Sequence, residues 1–218
     1  RQIDENQWNQ VVGNSLFENI YPYTWYMDLC ADRWLGLVMG DYECIMPVAF
    51  RKRIGLKYAY QPFYCQQLGV HSVKPVDAEI VRMFLHRFGE VFRMGETSFN
   101  AGNVLGNERG FEDKDSTNYT LPLNESYDRL FKNYNENCRR NVRRTHGNGL
   151  MVDTAVPLDE MLKFKREHEK VRRTQQTLDA RNRIFSRLLT RRSAEILGAR
   201  KDGELVAVAA FAISARRR

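Results

Sequence analysis

Apolar residues recur along this 218-residue chain with two different periods, and the period decides the element. Ile80, Val81, Phe84, Leu85, Phe88, Val91 and Phe92 repeat every three or four positions within residues 76–94, the stripe of an amphipathic helix, and Gly95 behind them reads as its C-cap. Two apolar runs, residues 34–39 and 44–50, are too short for helices and read as strands, with Gly40-Asp41 supplying a hairpin turn between them. Residues 57–60 predict a third strand leading into the polar-aromatic run 61–69, and short helices are expected at 5–12 and 25–30 around a loop at 13–23. Further on, strands are expected at 97–100 and 118–122, separated by a polar Gly-rich turn region. Helices at 126–134 and 137–146, a strand at 150–154, helices at 158–173 and 178–192, and a strand hairpin of 194–200 with 204–214 through Asp202-Gly203 complete the reading.

No sequence repeat is visible, yet the order of helices followed by a strand hairpin recurs on both sides of residues 134–149. The expected class is therefore α+β, in two related domains at 1–134 and 135–218. With 43% apolar and 11% aromatic residues the chain can bury one large core or two small ones. The run 204–214 stops just before Ala215-Arg216-Arg217-Arg218, so the second domain is expected to be incomplete, either as a fragment or for lack of part of its fold.

Charge changes the picture at the middle of the chain. Residues 1–128 hold 12 Lys and Arg against 17 Asp and Glu, a net of −5, whereas residues 129–218 hold 22 against 10, a net of +12. The reversal falls at Tyr134 to Gly149 (YNENCRRNVRRTHGNG). On a helix Arg139, Arg140, Arg143 and Arg144 share an arc of roughly 140°, opposite Tyr134, Cys138 and Val142. Glu136 can reach Arg139 or Arg140, but one carboxylate does not neutralise four guanidiniums. This helix reads as a solvated face, a docking surface for the acidic N-terminal half, or a phosphate site. The other basic helices, with Arg166, Lys170 and Arg173 or Arg183, Arg187 and Arg191, read mostly as solvated faces. Phe185 is the lone aromatic among residues 171–192, a poor pattern for base stacking, and DNA is not expected as a partner.

Arg144-Thr145-His146-Gly147-Asn148-Gly149 fits R-x-x-G-x-G, a phosphate-cradling spacing of acetyl-CoA-dependent N-acetyltransferases. Such a loop follows a strand and opens a helix, so that helix N–H groups hold the pyrophosphate. Here the predicted helix comes first and the strand second, so the glycines read better as a C-cap and turn. His71, His86, His146 and His168 have no neighbouring Ser or Cys in a recognisable turn, and no catalytic residue is assigned. Gln61, Gln66 and Gln67 stand among Tyr60, Phe63 and Tyr64, where they form either a satisfied structural network or the polar floor of a pocket. Cys30, Cys44, Cys65 and Cys138 are far apart without C-x-x-C and read as buried structural thiols, with a metal or disulfide role as the minor alternative. No metal site is expected. No stretch has the length of a membrane span and the start lacks the order of a secretion signal, so a cytoplasmic protein is the expectation.

Four segments taken together resemble a known family: Tyr23-Thr24-Trp25-Tyr26; the hairpin from Gly40 to Pro47; Tyr60-Gln61-Pro62-Phe63 with Gln66-Gln67-Leu68-Gly69; and Asn137-Cys138-Arg139-Arg140-Asn141-Val142. In matching order over nearly the whole chain they resemble the FemAB-like branch of the acetyltransferase (GNAT) superfamily, in the form common among Bacteroidetes proteins. The resemblance implies two GNAT-like domains of the acyl-CoA N-acyltransferase fold, each a mixed sheet flanked by helices, with a substrate cleft between them. It implies an acyl or aminoacyl transferase acting on an amine of a cell-wall (peptidoglycan) precursor or similar phosphate-bearing metabolite. Aminoacyl-tRNA or acyl-CoA would be the donor, tRNA a partner in the first case, and no bound cofactor is required. Substrate-binding candidates on that basis are Trp25, Tyr23, Gln66, Gln67, Arg139, Arg140 and Arg143. Tyr23 departs from the pattern, since a Lys would serve a phosphate better. A CoA-dependent N-acetyltransferase and a non-catalytic anion-binding module on a degenerate GNAT fold are the alternatives.

Overall fold

The computed structural model describes residues 3–147, 149–171 and 173–215. It is a mixed α+β structure. In chain order the elements are α1 (Glu5–Asn14), α2 (Thr24–Cys30), β1 (Trp34–Met39), β2 (Cys44–Arg53), β3 (Leu56–Ala59), β4 (His71–Ser72), α3 (Ala78–Val91), β5 (Met94–Gly95), α4 (Tyr127–Asn133), α5 (Glu136–Gly147), β6 (Met151–Asp153), α6 (Leu158–His168), α7 (Gln175–Thr190), β7 (Ala194–Lys201) and β8 (Glu204–Ala212). Contacts divide the chain into two units. The first comprises Arg1–Glu112, Lys170–Glu195 and Phe211–Arg218; the second comprises Asp113–Glu169 and Ile196–Ala210. The expected boundary at 134/135 thus falls inside the second unit, and α7 belongs to the first.

The first unit is organised by β2. One edge of it is covered by β1, paired antiparallel from Trp34↔Ala49 to Met39↔Cys44. The other edge is shared by β4, opposite Cys44 and Ile45, and β3, opposite Phe50 to Arg53. β5 adds a parallel pairing to β3, which makes the sheet mixed. Residues 44–50 are buried without interruption because both faces of the strand are covered. Cys44, Met46, Val48 and Phe50 pack with Phe84, Phe88 and Phe92 from α3 and its C-cap, whereas Ile45 meets Trp8 and Val12 of α1. Ala49 joins a third cluster with Tyr26 and Met27 of α2 and Ile184 and Leu188 of α7.

Helix α3 keeps the predicted stripe and is capped by Asp77, whose side chain accepts from the Ile80 N–H. It ends at Val91, four residues before Gly95. That glycine is a strand residue, at φ +152°, and a Cβ there would lie 2.5 Å from the Ala59 carbonyl oxygen. Close backbone approach, not capping, requires it. Two predicted strands do not form: 97–100 makes a single bridge, Phe99 with Leu68, and 118–122 is irregular and exposed.

In the second unit β6 pairs antiparallel with β7, Met151↔Arg200 to Asp153↔Gly198, and β8 follows β7 in a three-stranded sheet. Val156, Met161 and Ile196 are its buried apolar residues. Gly198 allows close packing, since a Cβ there would meet Val156 at 2.6 Å. Helix α6 stops at His168, five residues short of the expected end. Among the described residues no helix is long and apolar enough to cross a membrane.

Candidate functional site

The candidate residues of the first unit sit on an aromatic shelf. Tyr23 is the N-cap of α2 and Trp25 lies in its first turn; their rings are 6.3 Å apart, and Trp25 meets Tyr26 edge-on at 5.6 Å. Tyr26 is buried, and burial together with the nearby Cys65 and Cys30 thiols holds its phenol far above the ordinary range, so it serves as a neutral donor to the Tyr64 carbonyl at 2.8 Å. Tyr64 itself has φ +72°, and its ring continues the shelf toward Phe63 at 4.5 Å and Phe185 of α7 at 6.2 Å.

Two cations that the sequence placed on solvated faces belong to this shelf. The Arg191 guanidinium lies 4.6 Å over the Trp25 ring, and that of Arg173 lies 4.7 Å over Phe63. Helical spacing located them on basic helices but carried no signal of the rings beneath them. The shelf is held in place at the start of α7, where Gln176 donates to Asp32 at 2.8 Å, and Asp32 also pairs with Arg51 at 2.6 Å.

The three glutamines separate. Gln61 is structural: its Nε2 donates to the Cys65 carbonyl at 2.7 Å and its Oε1 accepts from the Ser98 N–H at 3.0 Å. Gln66 is exposed and Gln67 half-buried on the same loop. Tyr23 is also engaged. Its hydroxyl donates to Glu18 Oε1 at 3.3 Å, and Glu18 Oε2 accepts from the Ser214 hydroxyl at 2.8 Å. Glu18 is only 1% exposed, and both of its side-chain oxygens accept from hydroxyls.

His71, for which the sequence offered no partner, lies with its Nδ1 3.5 Å from the Ser15 hydroxyl and its Nε2 3.2 Å from the Leu68 carbonyl. A hydrogen bond to that carbonyl places a proton on Nε2. Ser15 and His71 are both buried, and the pair links the end of α1 to β4. A groove of about 550 Å³ lies elsewhere on this unit, lined by residues 36–42 with Met83, Phe84 and Arg87, and contains none of the predicted site residues.

The candidates of the second unit share one face of α5. Arg140, Arg143 and Arg144 are exposed, Arg139 is half-buried, and Cys138 and Val142 are half-buried on the opposite side, as the helical arc predicts. Glu136 does not pair with them. Arg139 donates to the Lys132 carbonyl at 3.3 Å and Arg140 to Asn137 Oδ1 at 2.8 Å, while Arg143 lies 5.9 Å over Phe131 of α4. Among the described residues no carboxylate reaches ion-pair distance of these four arginines. Arg200 is the contrast. Its guanidinium donates to Asp153 at 2.7 Å, to both oxygens of Glu160 at 2.8 and 2.7 Å, and to the Gly203 carbonyl at 3.3 Å.

Of the R-x-x-G-x-G segment, Asn148 and the His146 side chain lie outside the described residues. Helix α5 runs through Arg144 to Gly147, Gly149 stands at φ +65°, and β6 comes next, the order of a helix end and turn. Among the described residues no group of three or more His, Cys, Asp or Glu side chains is placed to hold a metal ion. Compared with known proteins, the chain matches no family model and no curated protein.

Proposed function

We propose that this chain is an acyl or aminoacyl transferase of the FemAB type, acting on an amine of a phosphate-bearing acceptor such as a cell-wall precursor. The observation that carries the proposal is the cationic face of α5, where no carboxylate among the described residues pairs with Arg139, Arg140, Arg143 or Arg144. Guanidiniums with free N–H groups are matched to phosphate oxygens, and charge-assisted bonds of this kind are the strong ones. Trp25, Tyr23, Gln66 and Gln67 of the first unit are the further substrate-binding candidates that the family resemblance implies, on the aromatic shelf and the loop beside it.

Transfer from an activated donor ester or thioester needs no covalent nucleophile. The nitrogen attacks the acyl carbon, the donor oxygen or sulfur departs, and the protein's contribution is to align the amine and stabilise the developing oxyanion. The buried Ser15–His71 pair has no part in this scheme.

Calorimetry with a UDP-linked peptidoglycan precursor tests the reading. Arg140→Ala with Arg143→Ala is expected to weaken binding about tenfold or more and to flatten its salt dependence. Unchanged binding removes α5 from the acceptor site. Titration with acetyl-CoA in the absence of tRNA separates the donors, since binding there favours a CoA-dependent N-acyltransferase.

A further inference from the structure

Two cysteines distant in sequence meet in the first unit. The Sγ atoms of Cys30, at the C-terminal end of α2, and Cys65, in the loop after β3, are 3.2 Å apart, closer than unbonded sulfurs ordinarily pack. Both are free thiols. A disulfide needs about 2.05 Å between sulfurs, so closing the bond asks for a shift of only about 1 Å.

Both backbones are held where they are. The Ala31 N–H closes the last turn of α2 on Met27, and the Cys65 N–H donates to the Pro62 carbonyl at 3.1 Å while Gln61 grips the Cys65 carbonyl. The environments differ in a useful way. Cys30 is half-buried and open to a small oxidant, whereas Cys65 is 5% exposed among Tyr26, Leu68 and Ile184. The hydrogen bond with Cys30, reinforced by burial, holds the Cys65 thiol well above the ordinary range, so it keeps its proton until a reactive partner forms beside it. Cys44 is sealed under α3 in a separate cluster, and Cys138 belongs to the second unit.

We propose that Cys30 and Cys65 are a redox-active thiol pair, closed by a peroxide into an intramolecular disulfide that staples α2 to the loop at residues 61–69. The Cys30 sulfur attacks one peroxide oxygen, the O–O bond breaks, and Cys30 becomes a sulfenic acid as water leaves. The Cys65 sulfur then attacks the Cys30 sulfur; the S–S bond forms, the S–O bond breaks, and the departing hydroxide takes the Cys65 proton as a second water. Two thiols lose two electrons and two protons, and one hydrogen peroxide is reduced to two waters. The staple ties the helix that carries Trp25 to the loop that carries Phe63 and Tyr64, fixing the aromatic shelf in the oxidised form.

The experiment treats the whole chain with stoichiometric hydrogen peroxide, then counts thiols after denaturation and maps peptides without reduction. Accessible thiols are expected to fall from four to two. The mass drops by about 2 Da, Cys30 and Cys65 peptides become linked, and dithiothreitol reverses both changes. The oxidised form is expected to melt about 5 to 10 °C higher. In Cys65→Ser the Cys30 sulfenic acid is expected to persist and be captured by dimedone; in Cys30→Ser the Cys65 thiol stays intact. Four thiols surviving in the wild-type chain, or a bridge that uses Cys44 or Cys138, overturns the proposal without recourse to any variant.

Discussion

The guanidinium of Arg191 lies 4.6 Å over the ring of Trp25, which joins the C-cap of α7 to the first turn of α2. Trp8 is fully buried and Trp34 packs against it at 5.5 Å, so Trp25 is the tryptophan most sensitive to this contact. Arg191→Ala is expected to cost about 0.5–1 kcal/mol and to shift tryptophan emission to the red. Arg191→Lys keeps the charge but loses the planar stack, so it should restore less than full stability. An emission spectrum unchanged in both variants would show that the contact does not persist in solution.

Helix α7 joins the first unit through Ile184 and Leu188, both about 1% exposed in the cluster with Met27 and Leu68. Leu188→Ala is expected to cost about 3 kcal/mol, from lost burial and the cavity left behind. For a chain of this size the melting temperature should fall by about 6 to 12 °C. Thermal denaturation checks it, with exposed Arg183→Ala as a control expected to move within about 0.5 kcal/mol.

Acid should loosen the second unit through Arg200. In the folded chain Glu160 is held below the usual carboxylate range by Arg200, and Asp153 by the Ala155 N–H and then by Arg200. The stabilisation is complete above the unfolded values near 4 and is lost as pH falls through the lowered folded values. Arg200→Met is therefore expected to lower stability at pH 7 and to reduce its change between pH 5 and about 2.5. Denaturant titration across that range measures the difference; parallel curves for variant and wild type would contradict it.

Space, not backbone conformation, fixes Gly36. A Cβ there would stand 2.4 Å from the Trp8 ring, and Trp8 is held by its indole N–H donating to the Pro22 carbonyl at 2.7 Å. Gly36→Ala is expected to destabilise by about 1–3 kcal/mol, because neither the ring nor β1 has room to give way. Circular dichroism melts provide the check.

Charge and shape can be separated on α5. Arg140→Lys with Arg143→Lys should preserve the salt dependence of precursor binding while lowering affinity, because an ammonium lacks the two-pronged fit to phosphate. Equal affinity in the double variant would mean the helix acts by charge alone.

Local patterns read well from the sequence. The stripe of α3 and the runs that became β1 and β2 depend on residues a few positions apart, and the hairpin at Gly40-Asp41 pairs them in the expected order. Residues 118–122 show the limit, because alternating apolar residues form a strand only where another strand offers an edge; Tyr119 is 90% exposed. The arc of arginines on α5 was legible for the same reason as α3. What periodicity does not carry is the partner. Nothing in the spacing of α7 says that Arg191 covers Trp25, that Ile184 and Leu188 belong with Met27, or that Cys30 lies beside Cys65. Those contacts depend on how loops return the chain across more than thirty residues. The division into units follows from the same contacts and was not readable from the reversal of charge.

The first unit is assembled from three separate stretches of chain, with α7 arriving only after the middle of the second unit has been made. At a synthesis rate of about 5–20 residues per second, roughly 4 to 16 seconds separate the appearance of residue 112 from the completion of α7. For that interval the cluster of Met27 and Leu68 lacks the two residues that α7 contributes, Ile184 and Leu188. The core of the first unit is therefore completed last, by Ile184 and Leu188, well after the residues they pack against have been synthesised.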